Sequence, residues 1–246
     1  MLQIEHLYLF LVLLPIVAFL YASVGHGGAS GYLALMALFS FAPETMKPTA
    51  LLLNLFVASI SFYYYYREGH FNKKLFLSFA ITSMPFAFLG GIIEVDASLY
   101  KKILAVLLVF AILKMLNVFG TKSTSVKKVK LWQGLTLGAI IGFFSGLIGI
   151  GGGIILTPII LLLHWGNMKE AAAVSALFIF VNSAAGLVGQ LSTGVSIESS
   201  SFLLVAIAII GAILGSYYGS KKINNKHLKH MLALVLVIAC IKLVFT

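Results

Sequence analysis

Two glycine-rich stretches are the places where this sequence could do chemistry inside an otherwise apolar chain. One is Gly149-Ile150-Gly151-Gly152-Gly153, with Thr157 and Pro158 one turn later, and the other is Gly25-His26-Gly27-Gly28-Ala29-Ser30-Gly31. Placing Gly25 over Gly149 gives an offset of 124 residues. Glycine lacks a Cβ, so the backbone can take positive φ there and another group can approach closely. A helix interrupted at such a point exposes backbone N–H groups, which in hydrocarbon must meet protein, water or a ligand. The helix that restarts carries about half a positive charge at its N-terminus, and two such ends facing one another make a site for a small anion. Two other readings compete. A tight surface turn would use glycine for geometry alone. A nucleotide-binding loop is excluded, because neither stretch follows a strand and neither carries the lysine of a P-loop.

The remaining polar groups inside apolar segments are neutral: Ser23, Ser30, Asn54, Thr157, Asn182 and Ser183. A serine or threonine in a membrane helix ordinarily bonds its own i−4 carbonyl. Asparagine is costlier to bury, which makes Asn54 and Asn182 the stronger candidates. His26 stands where the second stretch has Ile150; it titrates near neutral pH and would couple anion movement to a proton, or simply bond within its loop. All seven acids, Glu5, Glu44, Glu68, Glu94, Asp96, Glu170 and Glu198, lie at or beyond segment ends. No carboxylate is therefore placed mid-span to bind a metal ion or relay protons. A membrane enzyme would need a nucleophile, metal cluster or acid pair within the bilayer, and none is visible. Neither a cofactor nor a metal site is expected.

The elements that must position these groups follow from composition. Of 246 residues, 61% are hydrophobic and 10% charged, with mean hydropathy +1.06, against roughly a quarter charged in a soluble domain. Apolar runs of about 17 to 25 residues are long enough to span a bilayer as helices, and the period-2 alternation of a membrane barrel is absent. The sequence predicts an all-α polytopic membrane protein. Net charge +10 is carried by short loops, where it sets orientation; no basic face with interleaved aromatics exists for nucleic acid. Cys240 is the single cysteine, so no intrachain disulfide forms.

Ten apolar segments can be marked: Leu7–Val24, Ala29–Ala42, Pro48–Tyr66, Leu75–Ile93, Leu99–Phe119, Leu131–Ile148, Ile154–Trp165, Ala171–Leu191, Ser201–Gly219 and His227–Phe245. They divide into repeat one, 7–119, a basic linker, 120–130, and repeat two, 131–246. The paired lysines Lys101/Lys229 and Lys114/Lys242, with Gly69 over Gly194, support duplication. If all ten cross, the halves are inverted, and one side collects twelve basic residues against four on the other. The positive-inside rule prefers that arrangement and puts the linker in the cytoplasm. Whether the short segments 29–42 and 154–165 cross or re-enter is left open. Gly134, Gly138, Gly142 and Gly146, and likewise Gly211, Gly215 and Gly219, recur every fourth residue and predict faces for close helix packing. The tyrosine run Tyr63–Tyr66 reads as an interfacial belt.

Gly149-x-Gly-Gly-Gly-x-x-x-x-Pro158, its degenerate upstream copy and about 250 residues of duplicated membrane helices resemble the TauE/SafE sulfite exporter family of membrane permeases. The first copy departs from the pattern in having Ala34 where Pro158 falls, and His26. The resemblance implies transport of sulfite, an organosulfur anion or another small organic anion across the bacterial cytoplasmic membrane. From the residues alone the expectation is a secondary transporter for a small anion, working by alternating access. Its ligand-binding candidates are Gly25, His26, Gly27, Gly28, Ser30, Asn54, Gly149, Gly151, Gly152, Gly153, Thr157 and Asn182. The rival classes are a passive anion channel and a non-transporting membrane scaffold. The expected partners are the anion, the lipid bilayer and a coupling proton or ion; homo-oligomerisation is left open.

Overall fold

The structure, a computed structural model, describes residues 4–94 and 127–222 together with a few isolated positions outside them. Among the described residues eight helices follow one another: α1 (Ile4–Ser23), α2 (Ala29–Leu38), α3 (Pro43–Arg67), α4 (Lys73–Ile92), α5 (Leu131–Ile148), α6 (Gly153–Leu162), α7 (Met168–Ser192) and α8 (Ser200–Lys221). The described residues contain no strand. Helices α3, α4, α5, α7 and α8 are each long and apolar enough to cross a membrane, so the chain is a multi-pass membrane protein. Apart from isolated positions, the segments Leu99–Phe119 and His227–Phe245 lie outside the described residues, as do the linker residues 120–126 and both lysine pairs.

Some boundaries move for identifiable reasons. Helix α3 starts at Pro43, five residues before the expected Pro48, because a proline at the first helical position loses no intrahelical hydrogen bond. Helix α7 starts at Met168 and not Ala171, since Asn167 caps the N–H groups of Lys169 and Glu170 while Glu170 reaches back to the Asn167 N–H at 2.8 Å. That reciprocal pair is a capping box. Helix α2 stops at Leu38, four residues short of Ala42, where Ser40 turns left-handed at φ 59° and the Phe41 N–H closes on the Met36 carbonyl at 3.0 Å.

The glycine faces determine how helices pair. Along α5, Gly134, Gly138, Gly142 and Gly146 meet Ser78, Phe79, Ser83 and Ala87 of α4 in that order, so the two helices run parallel. Along α8, Gly211, Gly215 and Gly219 meet the carbonyls of Pro15, Phe19 and Ser23, and α8 runs parallel to α1. A Cβ at any of these would strike backbone oxygen, which is the close approach that holds helices together where lipid removes the hydrophobic drive. Helices α3 and α7 run antiparallel. Tyr65 lies with Ala172 and Ala173, Asn54 with Ser183, Leu51 with Gly186, and Lys47 shares a cleft with Gln190. Exchanging α1 with α5, α3 with α7 and α4 with α8 turns the α4–α5 pairing into α8–α1 and returns the α3–α7 pairing to itself. Because α3 and its mate α7 point opposite ways, the relation among the described helices is a two-fold perpendicular to them.

The short helices return. Gly31 of α2 lies against Val17 and Tyr21 of α1, and further along the Phe39 ring meets Phe10 edge-on at 5.4 Å. Helix α2 therefore runs back towards the end where α1 began, and the turn between them is buried. Helix α6 does the same after α5: Gly153 lies beside Ile179 and Ser175 in mid-α7, while the His164 carbonyl beyond α6 accepts from the Lys127 N–H ahead of α5. One end of the bundle thus carries Arg67, Lys127, Lys169 and Lys221, tied by Lys169 Nζ to the Ser220 carbonyl at 3.1 Å and by Lys221 to Glu68 at 3.7 Å. The other end carries Lys47, Glu44, Glu94 and Glu198. These are called the basic and acidic ends below.

Candidate functional site

Both breaks use left-handed glycine at matching positions. Gly28 caps α2 at φ 100° and Gly152 caps α6 at φ 78°, with Gly25 (75°), Gly149 (84°) and Gly151 (73°) also positive. L side chains rarely adopt that region. The space matters as much as the angle: a Cβ on Gly151 would lie 2.6 Å from Asn54 Nδ2, 2.7 Å from Ile179 Cγ2 and 3.0 Å from Ser183 Oγ. A Cβ on Gly27 would strike the same Asn54 and Ile179. The two breaks, far apart in sequence, therefore meet across one pair of side chains halfway along α3 and α7.

Asn54 holds this centre together. Its Oδ1 accepts from the Ala29 N–H at the start of α2 at 3.0 Å, and its Nδ2 donates to Ser183 Oγ at 3.1 Å; all three residues are buried. One asparagine thus satisfies a donor of the first turn of α2, which otherwise has no intrahelical partner, and ties α2 to α3 and α7. Because its proton is not used in accepting from Asn54, the Ser183 hydroxyl keeps a donor to offer. Ile179 sits 125 residues beyond Asn54, the offset that relates Gly69 to Gly194. The mate of the polar residue is apolar, so the centre is asymmetric.

Beside each capping glycine lies a buried hydroxyl that has no hydrogen-bond partner among the described residues. Tyr32 Oη would lie 2.6 Å from a Cβ on Gly28, and Ser145 Cβ 3.5 Å from one on Gly152. An unmet buried hydroxyl costs about 1–3 kcal/mol, so these two, like the amide atoms of Asn182 and Gln190 that have no partner among the described residues, are groups for which a further polar partner would be favourable.

The other candidates are placed as follows. Ser30 Oγ donates to Tyr21 Oη at 2.9 Å, and Thr157 Oγ1 to Ser175 Oγ at 2.7 Å, beside Gly153. Ser23 bonds the Leu20 carbonyl of its own helix, three residues back, at 2.7 Å. Asn182 Nδ2 bonds the Phe178 carbonyl one turn back at 2.9 Å, and its buried Oδ1 has no partner among the described residues. His26 Nδ1 donates to the Val24 carbonyl at 3.0 Å, within its own loop. Gly25 packs on Ala172 and Gly149 on Lys47. The structure thus brings Gly27, Gly151, Asn54 and Ser183 together, whereas Ser30, Thr157 and Gly149 contact Tyr21, Ser175 and Lys47 instead. Sequence reasoning missed Ile179, Tyr32 and Ser145. Only Ile179 had a signal, its register with Asn54.

Residues 9–243 match the family described as sulfite exporter TauE/SafE. The chain belongs to that family. Three relatives are named as probable membrane transporter proteins. A probable membrane transporter protein of Sinorhizobium fredii is 35% identical over 235 residues, covering 94% of this chain and 95% of the relative. One of Methanocaldococcus jannaschii is 30% identical over 251 residues, 92% of this chain and 94% of its own. One of Bacillus subtilis is 30% identical over 112 residues, 46% and 41% of the two chains. No solved structure matches. This TauE/SafE member is accordingly a membrane transporter.

Proposed function

We propose that this transporter is a secondary carrier of a small anion, with sulfite or a related organosulfur or organic anion as cargo, in the bacterial cytoplasmic membrane. The single observation that carries the reading is that the N-terminal ends of α2 and α6 converge from opposite halves on Asn54 and Ser183. Helix N-termini supply positive potential and N–H donors. Ser183, Tyr32 and Ser145 supply hydroxyls, and no side-chain charge is needed. Repeats of opposite sense meeting at broken helices near mid-depth are the usual build of alternating-access carriers. The glycine faces lock α4 to α5 and α1 to α8 across the two repeats, 7–119 and 131–246, so these inter-repeat pairs would be the units that move, with the basic end cytoplasmic.

In the conformation described, the Asn54 and Ile179 side chains fill the gap between Gly27 and Gly151. Admitting an anion there means letting α3 and α7 part, which exchanges the Asn54–Ser183 hydrogen bond for bonds to the cargo. The test is counterflow in proteoliposomes preloaded with sulfite. Saturable uptake of labelled sulfite, suppressed by a competing sulfonate and abolished by Gly151→Val in inserted protein, is the expected result. Conductance without counterflow would make the protein a channel, and Gly151→Val with normal flux would remove the site.

A further inference from the structure

At the acidic end a cleft of about 540 Å³ opens between the start of α3, the ends of α4 and α7, and the loop 193–198. Its lining includes Lys47 and Gln190. Gln190 is 2% exposed, yet both Oε1 and Nε2 lack a hydrogen-bond partner among the described residues. A buried amide with neither end satisfied is costly, and here it lines an open cleft. Lys47 is partly buried, its Nζ is held only loosely by the Gly91 carbonyl at 3.4 Å, and its Cγ would lie 3.0 Å from a Cβ on Gly149. The cleft therefore backs directly onto the second break. Its remaining charges, Glu44, Glu94 and Glu198, are exposed at the rim.

The helical register links this cleft to the centre. On α3, Lys47 and Asn54 are seven residues apart, and on α7 Ser183 and Gln190 are seven residues apart, which is two turns and the same face on each helix, a separation of ~10 Å. Since α3 and α7 are antiparallel and Asn54 already bonds Ser183, Lys47 and Gln190 form the next polar level out along the same seam.

We propose that Lys47 and Gln190 form an outer oxyanion subsite, which takes the head group of the cargo at the acidic end before it passes down the α3–α7 seam to the glycine breaks. This rests on the carrier reading given above. The lysine supplies charge and one donor, and the amide supplies a second donor from a rigid, dehydrated position. The three rim carboxylates repel doubly charged anions, so the subsite favours singly charged ones.

The test is thermal unfolding of the solubilised full chain titrated with sulfite, methanesulfonate and acetate, together with counterflow KM and Vmax. Lys47→Met is expected to raise the apparent Kd and KM about ten-fold, the loss of one charge-assisted contact, with Lys47→Arg restoring most of it. Gln190→Leu, near-isosteric, is expected to raise them several-fold while leaving Vmax and the ligand-free unfolding temperature unchanged or higher, because an unmet amide is removed. A purely structural glutamine would leave KM untouched, and that result overturns the proposal, as does the absence of any anion-induced shift in the wild type with all three probes. If Gly151→Val abolishes flux while Gln190→Leu and Lys47→Met keep the wild-type KM, the outer subsite falls and the central site stands. If Gly151→Val transports normally, the central site falls, and a raised KM in Gln190→Leu would still place the anion in the cleft.

Discussion

Substituting alanine at two glycines of nearly equal backbone angle separates the cost of the angle from the cost of the space. Gly151 (φ 73°) and Gly194 (φ 89°) are both left-handed, but a Cβ on Gly194 has nothing within 4 Å, whereas one on Gly151 lies 2.6–3.0 Å from Asn54, Ile179 and Ser183. The angle alone costs about 1–2 kcal/mol, partly offset by the reduced freedom of the unfolded chain, leaving about 1 kcal/mol for Gly194→Ala. Gly151→Ala carries the same term and also overpacks a filled interior, which adds about 1–3 kcal/mol. At this chain length 1 kcal/mol is worth about 2–4 °C, so the expected drops in unfolding temperature are about 3 °C for Gly194→Ala and about 6–12 °C for Gly151→Ala. Flux per inserted molecule is expected to stay normal in the first and fall steeply in the second. Equal drops in the two variants would mean that the breaks are not held in close contact through Asn54 and Ile179, and the geometry of the site would be wrong.

The Asn54–Ser183 bond is open to a double-mutant cycle of Asn54→Leu and Ser183→Ala, read by thermal unfolding; the coupling expected is about 0.5–1 kcal/mol, the size found for interhelical hydrogen bonds in membranes. Gly146→Ala would drive a Cβ into the Ala87 carbonyl and is expected to lower the yield of folded protein by separating α4 from α5, whereas Gly69→Ala, with nothing within 4 Å, is expected to fold. Single cysteines at Asn72 and Ser199 in a Cys240-free background are expected to react with an impermeant thiol reagent from opposite sides of the membrane, since these residues precede α4 and α8 at opposite ends of the bundle; labelling from one side would exclude the inverted arrangement. Burial, and then Lys169, push the His70 imidazole below its ordinary pKa of 6.5. Its neutral form is thus favoured by folding, a contribution fully present above 6.5 and lost as pH falls through the lower folded value. His70→Gln is expected to flatten the fall in unfolding temperature on acidification below pH 6.5.

Much of this architecture was legible because glycine has few uses inside a membrane. The four-residue spacing of Gly134 to Gly146 announced a helix contact, and that face lies on α4. The limits of α5 coincide with the apolar run Leu131–Ile148, because Lys130 and Gly149 end it unambiguously. The breaks were legible as breaks, but not where they went, since an apolar dozen residues after a glycine turn reads alike whether it goes on or returns. Only packing on α1 sends α2 back. Asn54 stood out as a buried amide, while Ile179 was one apolar residue among many until α3 and α7 were laid antiparallel. Lys47 falls just before the expected segment Pro48–Tyr66, among the short-loop charges that set orientation. With α3 starting at Pro43, the same lysine lies one turn inside it, against Gly149.

The most direct measurement of the central claim is alkylation of Ser183→Cys in a Cys240→Ser background, with and without transported anion. An anion passing between the paired breaks must displace the Asn54 contact at this position, so saturating substrate is expected to slow modification, with half-protection at the concentration that half-saturates counterflow. An unchanged rate in a variant that still transports would place the path elsewhere.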